Sequence, residues 1–302
     1  GPFPTSPIVI GGYRYGGKYE MLAVQKVVGD EVYFTVTINS AEYDPGEVFQ
    51  LVKIYEADYA TVNGTITAKD WDGKTGGVIA LVIFKKLTLN NTIYASYSGF
   101  EGGQPEPGYV SGCRDYLTDT LYFYNDVFGI AGEKGKGIVA HSVDDYYNYT
   151  KGPGALITAG GGGLGYFAGG GGGGHRGPGG SGGRQKKGCT GDKIALGGQG
   201  LTLSAFYENN KITMGGGGGS STEDVAHTAS KGGDGGGIVI IMTDTLEGNN
   251  NILCDGESAV NATAGAGGGG AGGSVLLDVN HYKGMVNLSV QGGNGGSTLG
   301  GT

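Results

Sequence analysis

The sequence predicts an all-β chain with packed polyglycine-II helices and almost no α-helix. An N-terminal β region carrying a first strand/glycine repeat (residues 1–154) precedes a repeated sandwich of strands and glycine tracts (155–302). Three observations predict this. Of 69 glycines in 302 residues, 20 fall in residues 1–151 and 49 in residues 152–302, against an average usage of about 7%. Within the glycine runs, the other residues keep a spacing of three. Between the runs lie apolar blocks such as Gly237-Ile-Val-Ile-Ile-Met242 and Gly273-Ser-Val-Leu-Leu-Asp-Val279, for which a solvated linker has no use.

Residues 1–70 read as strands punctuated by turns. Glu31-Val-Tyr-Phe-Thr-Val-Thr-Ile38 and Val48-Phe-Gln-Leu-Val-Lys-Ile-Tyr55 are rich in β-branched and aromatic residues, with Tyr43-Asp-Pro-Gly46 a turn signal between them. Thr61-Val-Asn-Gly-Thr-Ile-Thr67 alternates in the strand period around an Asn-Gly pair, which predicts a hairpin. No segment offers a capped helical period. A longer repeat follows: a glycine pair, an apolar strand, a turn, an alternating strand, then a glycine tract. Its copies start at Gly76-Gly77, Gly236-Gly237 and Gly272-Gly273, and Gly135-Lys-Gly-Ile-Val-Ala140 reads as a degenerate one. Such repeats bury their apolar faces by stacking on neighbours, so the change near residue 155 is a shift of composition within one architecture.

The spacing of three is clearest in His175, Pro178, Ser181, Arg184 and Lys187, and again in Gln291, Asn294 and Ser297. A polyproline-II-type helix has three residues per turn, rises about 3.1 Å per residue and makes no internal hydrogen bonds. Every third residue then lies on one edge, and two edges are bare backbone whose N–H and C=O groups need neighbours. On this reading Gly179, Gly180, Gly182, Gly183, Gly292, Gly293, Gly295 and Gly296 are structural. Valine at Gly180 or Gly183 would separate packed backbones, and valine at Ser181 would not. Collagen is excluded, because it needs glycine at every third residue and much proline, and this chain has 8 prolines.

With 20 basic and 28 acidic residues the chain carries a formal charge of −8, which disfavours a nucleic-acid partner. No apolar run approaches the 18–20 residues of a membrane span, and Gly1-Pro2 reads as a protease-cleavage scar with upstream sequence trimmed. Cys113, Cys189 and Cys254 show no metal-binding spacing. A Cys113–Cys189 disulfide with Cys254 left over and three unpaired thiols are both open readings.

The stretch from Thr61 to Leu81, with Leu87-Thr-Leu-Asn-Asn-Thr-Ile93 and Ser98-Gly-Phe-Glu-Gly-Gly103, resembles the glycine-rich domain of large surface proteins from Bacteroidota-type bacteria. Met214-Gly-Gly-Gly-Gly-Gly219, Gly232-Gly-Asp-Gly-Gly-Gly-Ile-Val-Ile-Ile241 and the run from Gly265 to Val279 continue the likeness over most of residues 45–302. More loosely, the second half is similar to the polyglycine-II sandwich of phage tail-fibre adhesins and to the glycine-rich ectodomain of the anaplastic lymphoma kinase receptor family. The resemblance implies an exported, surface-displayed module that binds or spaces, attached to a cell surface or a virion. It supplies no binding residue.

Chemistry is sparse. Gly73-Lys74-Thr75 is a fragment of a phosphate loop, but Ala68 stands where its first glycine is required. Gly179-Gly-Ser-Gly-Gly183 matches a nucleophile elbow only because it lies in a glycine run. The four histidines are scattered, and Asp144-Asp145 and Glu223-Asp224 lack the spacing of a calcium loop, so they read as solvated charged turns. The expectation is therefore a non-enzymatic extracellular adhesion or binding module without cofactor or metal, whose partner is a cell-surface glycan or protein. Loops on a rigid body carry binding residues. The candidates are Tyr166, Phe167, His175, Arg176 and Arg184, expected on loops at one end of the glycine body. Alternatives are a structural spacer of a surface filament and a phage receptor-binding adhesin; an ice-binding face lacks the long threonine rows.

Overall fold

A computed structural model describes residues 16–38, 49–105, 113, 122–123, 130–139, 150–185, 189, 194–201, 211–224 and 226–299. Among these residues there is no helix. β1 (Val24–Val28) and β2 (Glu31–Phe34) form a separate antiparallel hairpin. Four long strands, β3 (Tyr55–Val62), β5 (Val78–Leu89), β7 (Ile238–Gly248) and β9 (Ser274–Gly284), pair in that order as a parallel sheet. Four short strands, β4 (Ile66–Thr67), β6 (Ile93–Tyr94), β8 (Asn251–Leu253) and β10 (Asn287–Ser289), make a second parallel sheet in the same succession. The chain therefore climbs in four rungs, each giving one long and one short strand. Residues between Gly103 and Lys231 are inserted between the second rung and the third, and both sheets draw strands from either side of residue 155.

Ile79, Leu81 and Ile83 of β5 and Val239 and Ile241 of β7 share a core with Ile93 and Ile252 of the short strands. On the other side of the long-stranded sheet, Ala80, Ile238 and Ile240 pack with Met214. A strand covered on both faces needs apolar residues at both parities. That is why Ile238-Val-Ile-Ile-Met242 is a continuous apolar run, each buried aliphatic contributing about 1.5–3 kcal/mol.

The Asn63-Gly64 pair is not a hairpin. β3 and β4 lie in different sheets, each parallel to the next rung, so Asn63 sits at a corner. Asn90 Nδ2 donates to Asn63 Oδ1 at 3.0 Å, Asn250 Nδ2 to the Leu89 carbonyl at 2.9 Å, and the Met285 amide to Asn249 Oδ1 at 2.8 Å. Asparagines at successive corners bond between rungs, a vertical use of a residue pair that usually closes two neighbouring strands. The strand expected over 48–55 begins only at Tyr55. Residues 49–54 are held instead by side chains: Gln50 brackets the Gly76 backbone at 3.1 and 3.0 Å, while Val52 and Ile54 pack beside Met214. Gly135–Val139 is not a further rung but glycine tract, its Gly135 amide bonding to the Gly160 carbonyl at 2.9 Å. The turn expected at Tyr43–Gly46 lies outside the described residues.

The glycine tracts bond to one another in rotation. The amides of Gly169 and Gly172 donate to Gly183 and Gly180, those of Gly170 and Gly173 to Ala266 and Gly269, and those of Gly171 and Gly174 to Gly161 and Thr158. In the next tract, Gly215 and Gly218 donate to Gly236 and Gly233, Gly216 and Gly219 to Gly174 and Gly171, and Gly217 and Ser220 to Lys136 and Glu133. Every third amide addresses the same neighbour, and each of these tracts donates to three neighbours. Neighbouring carbonyls stand where side chains would be: a Cβ on Gly216 would meet the Thr158 oxygen at 1.8 Å, and one on Gly170 the Gly219 oxygen at 1.9 Å.

Only one glycine of each surface pair is packed in this way. A Cβ on Gly179 or Gly182 would lie 2.1 or 2.2 Å from a carbonyl oxygen of the 169–174 tract, and one on Gly293 or Gly296 2.0 or 2.2 Å from that of Glu257 or Val260. Gly180 has nothing within 4 Å, and Gly183, Gly292 and Gly295 have nothing nearer than 3.6 Å. The expectation that valine at Gly180 or Gly183 would part packed backbones is overturned: their carbonyls accept the Gly172 and Gly169 amides, but their Cβ positions face the open edge of a surface tract.

Lys134 is enclosed where the insertion meets the tracts. Its Nζ donates to the carbonyls of Tyr122, Gly152 and Gly154 at 2.9, 2.7 and 2.5 Å and stands 4.2 Å from the Phe123 ring centroid. Burial pulls its pKa well below the usual lysine value, while three carbonyls and a ring face favour the ammonium.

Two stability measurements check this packing. Valine at Gly182 is expected to cost more than about 3 kcal/mol, because the tracts must part and leave amides unbonded. Valine at Gly180 should change unfolding by less than about 0.5 kcal/mol; equal costs would refute the assigned rows. Lys134→Met removes the donor to three carbonyls and should cost about 2–4 kcal/mol in denaturant unfolding.

Candidate binding site

The 168–174 tract separates the sequence candidates into two groups. Tyr166 and Phe167 precede it, and His175 and Arg176 follow it. The tract through Gly179–Gly183 runs back antiparallel, with Gly172 bonded to Gly180 and Gly169 to Gly183. Arg184 is thereby returned to the end that holds Tyr166. The structure thus brings Tyr166, Phe167 and Arg184 to one end and leaves His175 and Arg176 at the other, correcting the expectation of a single cluster. A hairpin of tracts puts alternate loops at opposite ends.

The first end is built from three loops. The Tyr166 and Phe167 rings stack at 4.2 Å with 29° between their planes, and the edge of His227 meets Phe167 at 5.0 Å and 71°. Beside Arg184, Gln185 accepts the Tyr166 amide on Oε1 at 3.1 Å. From the third loop, Thr222 Oγ1 donates to the Gly165 carbonyl at 2.9 Å. Phe167 is buried with φ +62°, in a region that side chains rarely adopt, at a cost of order 1–3 kcal/mol. The stacked ring and the His227 edge hold it there.

Asp224 organises the third loop. Its Oδ1 accepts the amides of Ala226 and His227 at 2.8 and 2.7 Å and faces His227 Nδ1 at 2.8 Å. Its side chain is only 8% exposed, so it is not the solvated turn residue expected from Glu223-Asp224. Burial pushes its pKa up, but the two amides and the imidazole outweigh that and hold the carboxyl below the ordinary value. Burial, with the nearby Asp224 charge and hydrogen bond, raises the Tyr166 hydroxyl. The outcome is an aromatic pair with a carboxylate, an imidazole and an amide around it, and with Arg184 next to Gln185 in the chain, groups that stack on a ring and bond to hydroxyls. Asp224, His227 and Gln185 were not singled out as binding residues in the sequence. The signal for Asp224 is local: an aspartate that caps the amides two and three residues on is a common turn device.

At the other end His175 plays a structural part. Its Nε2 lies 3.1 Å from the Thr213 carbonyl and 3.2 Å from Ser274 Oγ, and Ser274 Oγ also donates to Thr213 at 2.7 Å. Burial lowers its pKa, with the Thr213 carbonyl opposing. Gly73-Lys74-Thr75 is a tight turn: Asp72 Oδ1 accepts the amides of Lys74 and Thr75 at 2.9 and 2.8 Å, and the chain enters β5. Cys113 is joined to Cys189. Cys254 is a free thiol buried in the core between the sheets, its pKa pushed up to about 12 by burial and by the Asp255 charge.

No family model, no curated protein and no solved structure matches this chain.

The depressed pKa of His175 has a signed consequence. Its neutral form is favoured in the fold, so the unfolded chain binds the proton first. The stabilisation is complete above the unfolded value near 6.5 and declines as pH falls below it. The melting temperature should therefore drop between pH 7 and pH 5 by more in the native protein than in His175→Gln; parallel curves would refute a neutral imidazole favoured by the fold.

Proposed function

We propose that this chain is a non-enzymatic extracellular adhesion or binding module. In it the glycine tracts are packed polyglycine-II helices, sandwiched against the parallel sheets, that hold recognition loops rigid. The rotation of amides among three neighbours supports the polyglycine-II reading, since three residues per turn aim every third N–H in one direction. The observation that carries the binding reading is the stacked Tyr166–Phe167 pair, held in a strained backbone beside Gln185, Asp224 and His227, with Arg184 at the same end of the tracts. Aromatic faces beside multi-donor groups suit a surface glycan or a protein. Loops already ordered lose less entropy on binding. The Cys113–Cys189 disulfide favours an oxidising, extracellular compartment, and the resemblance to glycine-rich surface-protein domains agrees. His175 and Arg176 do not belong to this site.

A spacer in a surface filament is the second reading, favoured by one feature: the outer edges of β3 and β9 pair with no strand among the described residues, as in one unit of a longer solenoid.

Alanine at Tyr166 and Arg184 together is expected to weaken binding on a surface-glycan and cell-surface array at least tenfold, about 1.4 kcal/mol, with the melting temperature lowered by only a few degrees. Binding that survives this change but is lost on removing residues 1–60 would move the site to the N-terminal β region. An array with no ligand for the native protein would favour the spacer.

A further inference from the structure

The third and fourth rungs are related by a translation of 36 residues. Ile238 pairs with Ser274 and Gly248 with Gly284. Side chains repeat the interval, with the amides of Gln291, Asn294 and Ser297 bonding to Asp255, Ser258 and Asn261, each 36 residues back. Backbone bonds repeat it as well: Glu257 donates to Asp234 at 2.8 Å, and Gly293 donates to Gly270 at 2.8 Å.

The translation stops at a groove. Gly233 and Gly236, in the tract leading into the third rung, donate to Gly268 and Ala271 in the next leading tract, both at 2.8 Å. One rung on, the equivalent donors are Gly269 and Gly272. Both residues are buried, and neither amide has an acceptor among the described residues. Gly256 and Ala259 donate to Gln291 and Asn294 in the next trailing tract; their equivalents Gly292 and Gly295 likewise lack acceptors among the described residues. A Cβ on Gly256 would strike the Gly270 carbonyl at 2.2 Å, whereas one on Gly292 has 3.6 Å of room. The space so outlined is a groove of about 1020 Å³ between the tracts at 177–181 and 292–295, floored by Gly268–Gly273. β9 and β10 flank it with edges that pair with no strand among the described residues.

We propose that this groove and the edges of β9 and β10 form a docking site for a fifth rung: a glycine-rich polypeptide segment that lays one extended tract in the groove and adds a parallel strand to each sheet. The occupant is fixed by the chemistry of the walls. Donors spaced by three along Gly269–Gly272 and Gly292–Gly295 call for a chain that offers carbonyls at the same spacing and turns glycine towards those tracts, while side chains such as His175, Arg176, Leu276 and Val290 line the rest of the groove. A second folded copy fits poorly, because the leading position of its first rung holds Phe49 and Leu51, both strongly exposed. The proposal is independent of the adhesion reading, whose site lies on the Tyr166 loops.

The test adds a fluorescent peptide with the sequence of residues 266–297, the fourth rung itself, to the whole protein. Saturable binding to one site is expected by anisotropy. Gly180→Leu and Gly292→Leu have room for their side chains in the free protein and fill the groove. Each should weaken binding at least tenfold with unchanged melting temperature. A peptide with serine in place of every glycine from 267 to 273 should not bind. Failure of the native protein to bind by about 1 mM peptide, an affinity of only about −4 kcal/mol, overturns the proposal. So does equal binding by the two leucine variants. Dimerisation of the native protein abolished by the same variants would assign the face to self-association instead.

Discussion

Everything in this molecule depends on satisfying backbone amides that have no partner within their own segment. An α-helix supplies its own acceptors, and a strand needs two neighbours in one plane. The tracts at 169–174 and 215–220 need three neighbours around an axis. A buried amide left unbonded costs about 1–3 kcal/mol, so each tract is stable only in the company of the others. The approach needed for those bonds puts a neighbour's carbonyl within about 2 Å of where a Cβ would stand, as at Gly170 and Gly216. Glycine is required here for space. The entropy that glycine loses on ordering is offset because almost every tract amide in the interior finds an acceptor.

The sheets and the glycine body are joined by the same chain. Gly237 donates to Ala95, and Ile238, which opens β7, to Gly77, so a tract turns into a strand without a break in bonding. Met214, within the tract region, packs on the outer face of the long-stranded sheet. Over Val78–Leu81 and Ile238–Ile241 the sheet therefore has no solvent face, and its apolar residues follow no alternation there, whereas Phe84 further along β5 is exposed. Rung corners are fixed by asparagine rather than by turn type, which leaves the two sheets free to be joined by short links such as Asn63-Gly-Thr65.

Much of this was legible in the residues. The spacing of three in Gly179–Arg184 and the recurrence of glycine pair, apolar strand and second strand at Gly236 and Gly272 both have direct counterparts in hydrogen bonds and register. What was not legible depends on neighbours. Whether Gly179 or Gly180 faces a carbonyl is set by which side of the tract meets the rest of the protein, and either choice leaves the spacing unchanged. Asn63-Gly64 has the local chemistry of a hairpin, and only the competing parallel partner, β6, decides against it. The split of the binding candidates follows from the antiparallel return of Gly179–Gly183, which sequence adjacency hides. Asp224 and His227 reach Tyr166 through a loop more than fifty residues away, a distance at which spacing carries no information.

The long insertion shapes how the chain reaches this state. Ile238 finds Ser274 only 36 residues away, but Val78 must find Ile238 across 160 residues. Closing the longer loop costs about 1.3 kcal/mol more on chain entropy alone, and such long-range pairing slows folding. Neither half can finish first, since the tract amides of Gly215 and Gly218 require carbonyls at Gly236 and Gly233 beside β7. Until the insertion returns, the facing edges of β5 and β7 are bare parallel strands with apolar residues at both parities. That interval is when a nascent chain is most exposed to pairing with another copy of itself, so the demand on chaperoning falls on assembly of the second and third rungs and little on the fourth.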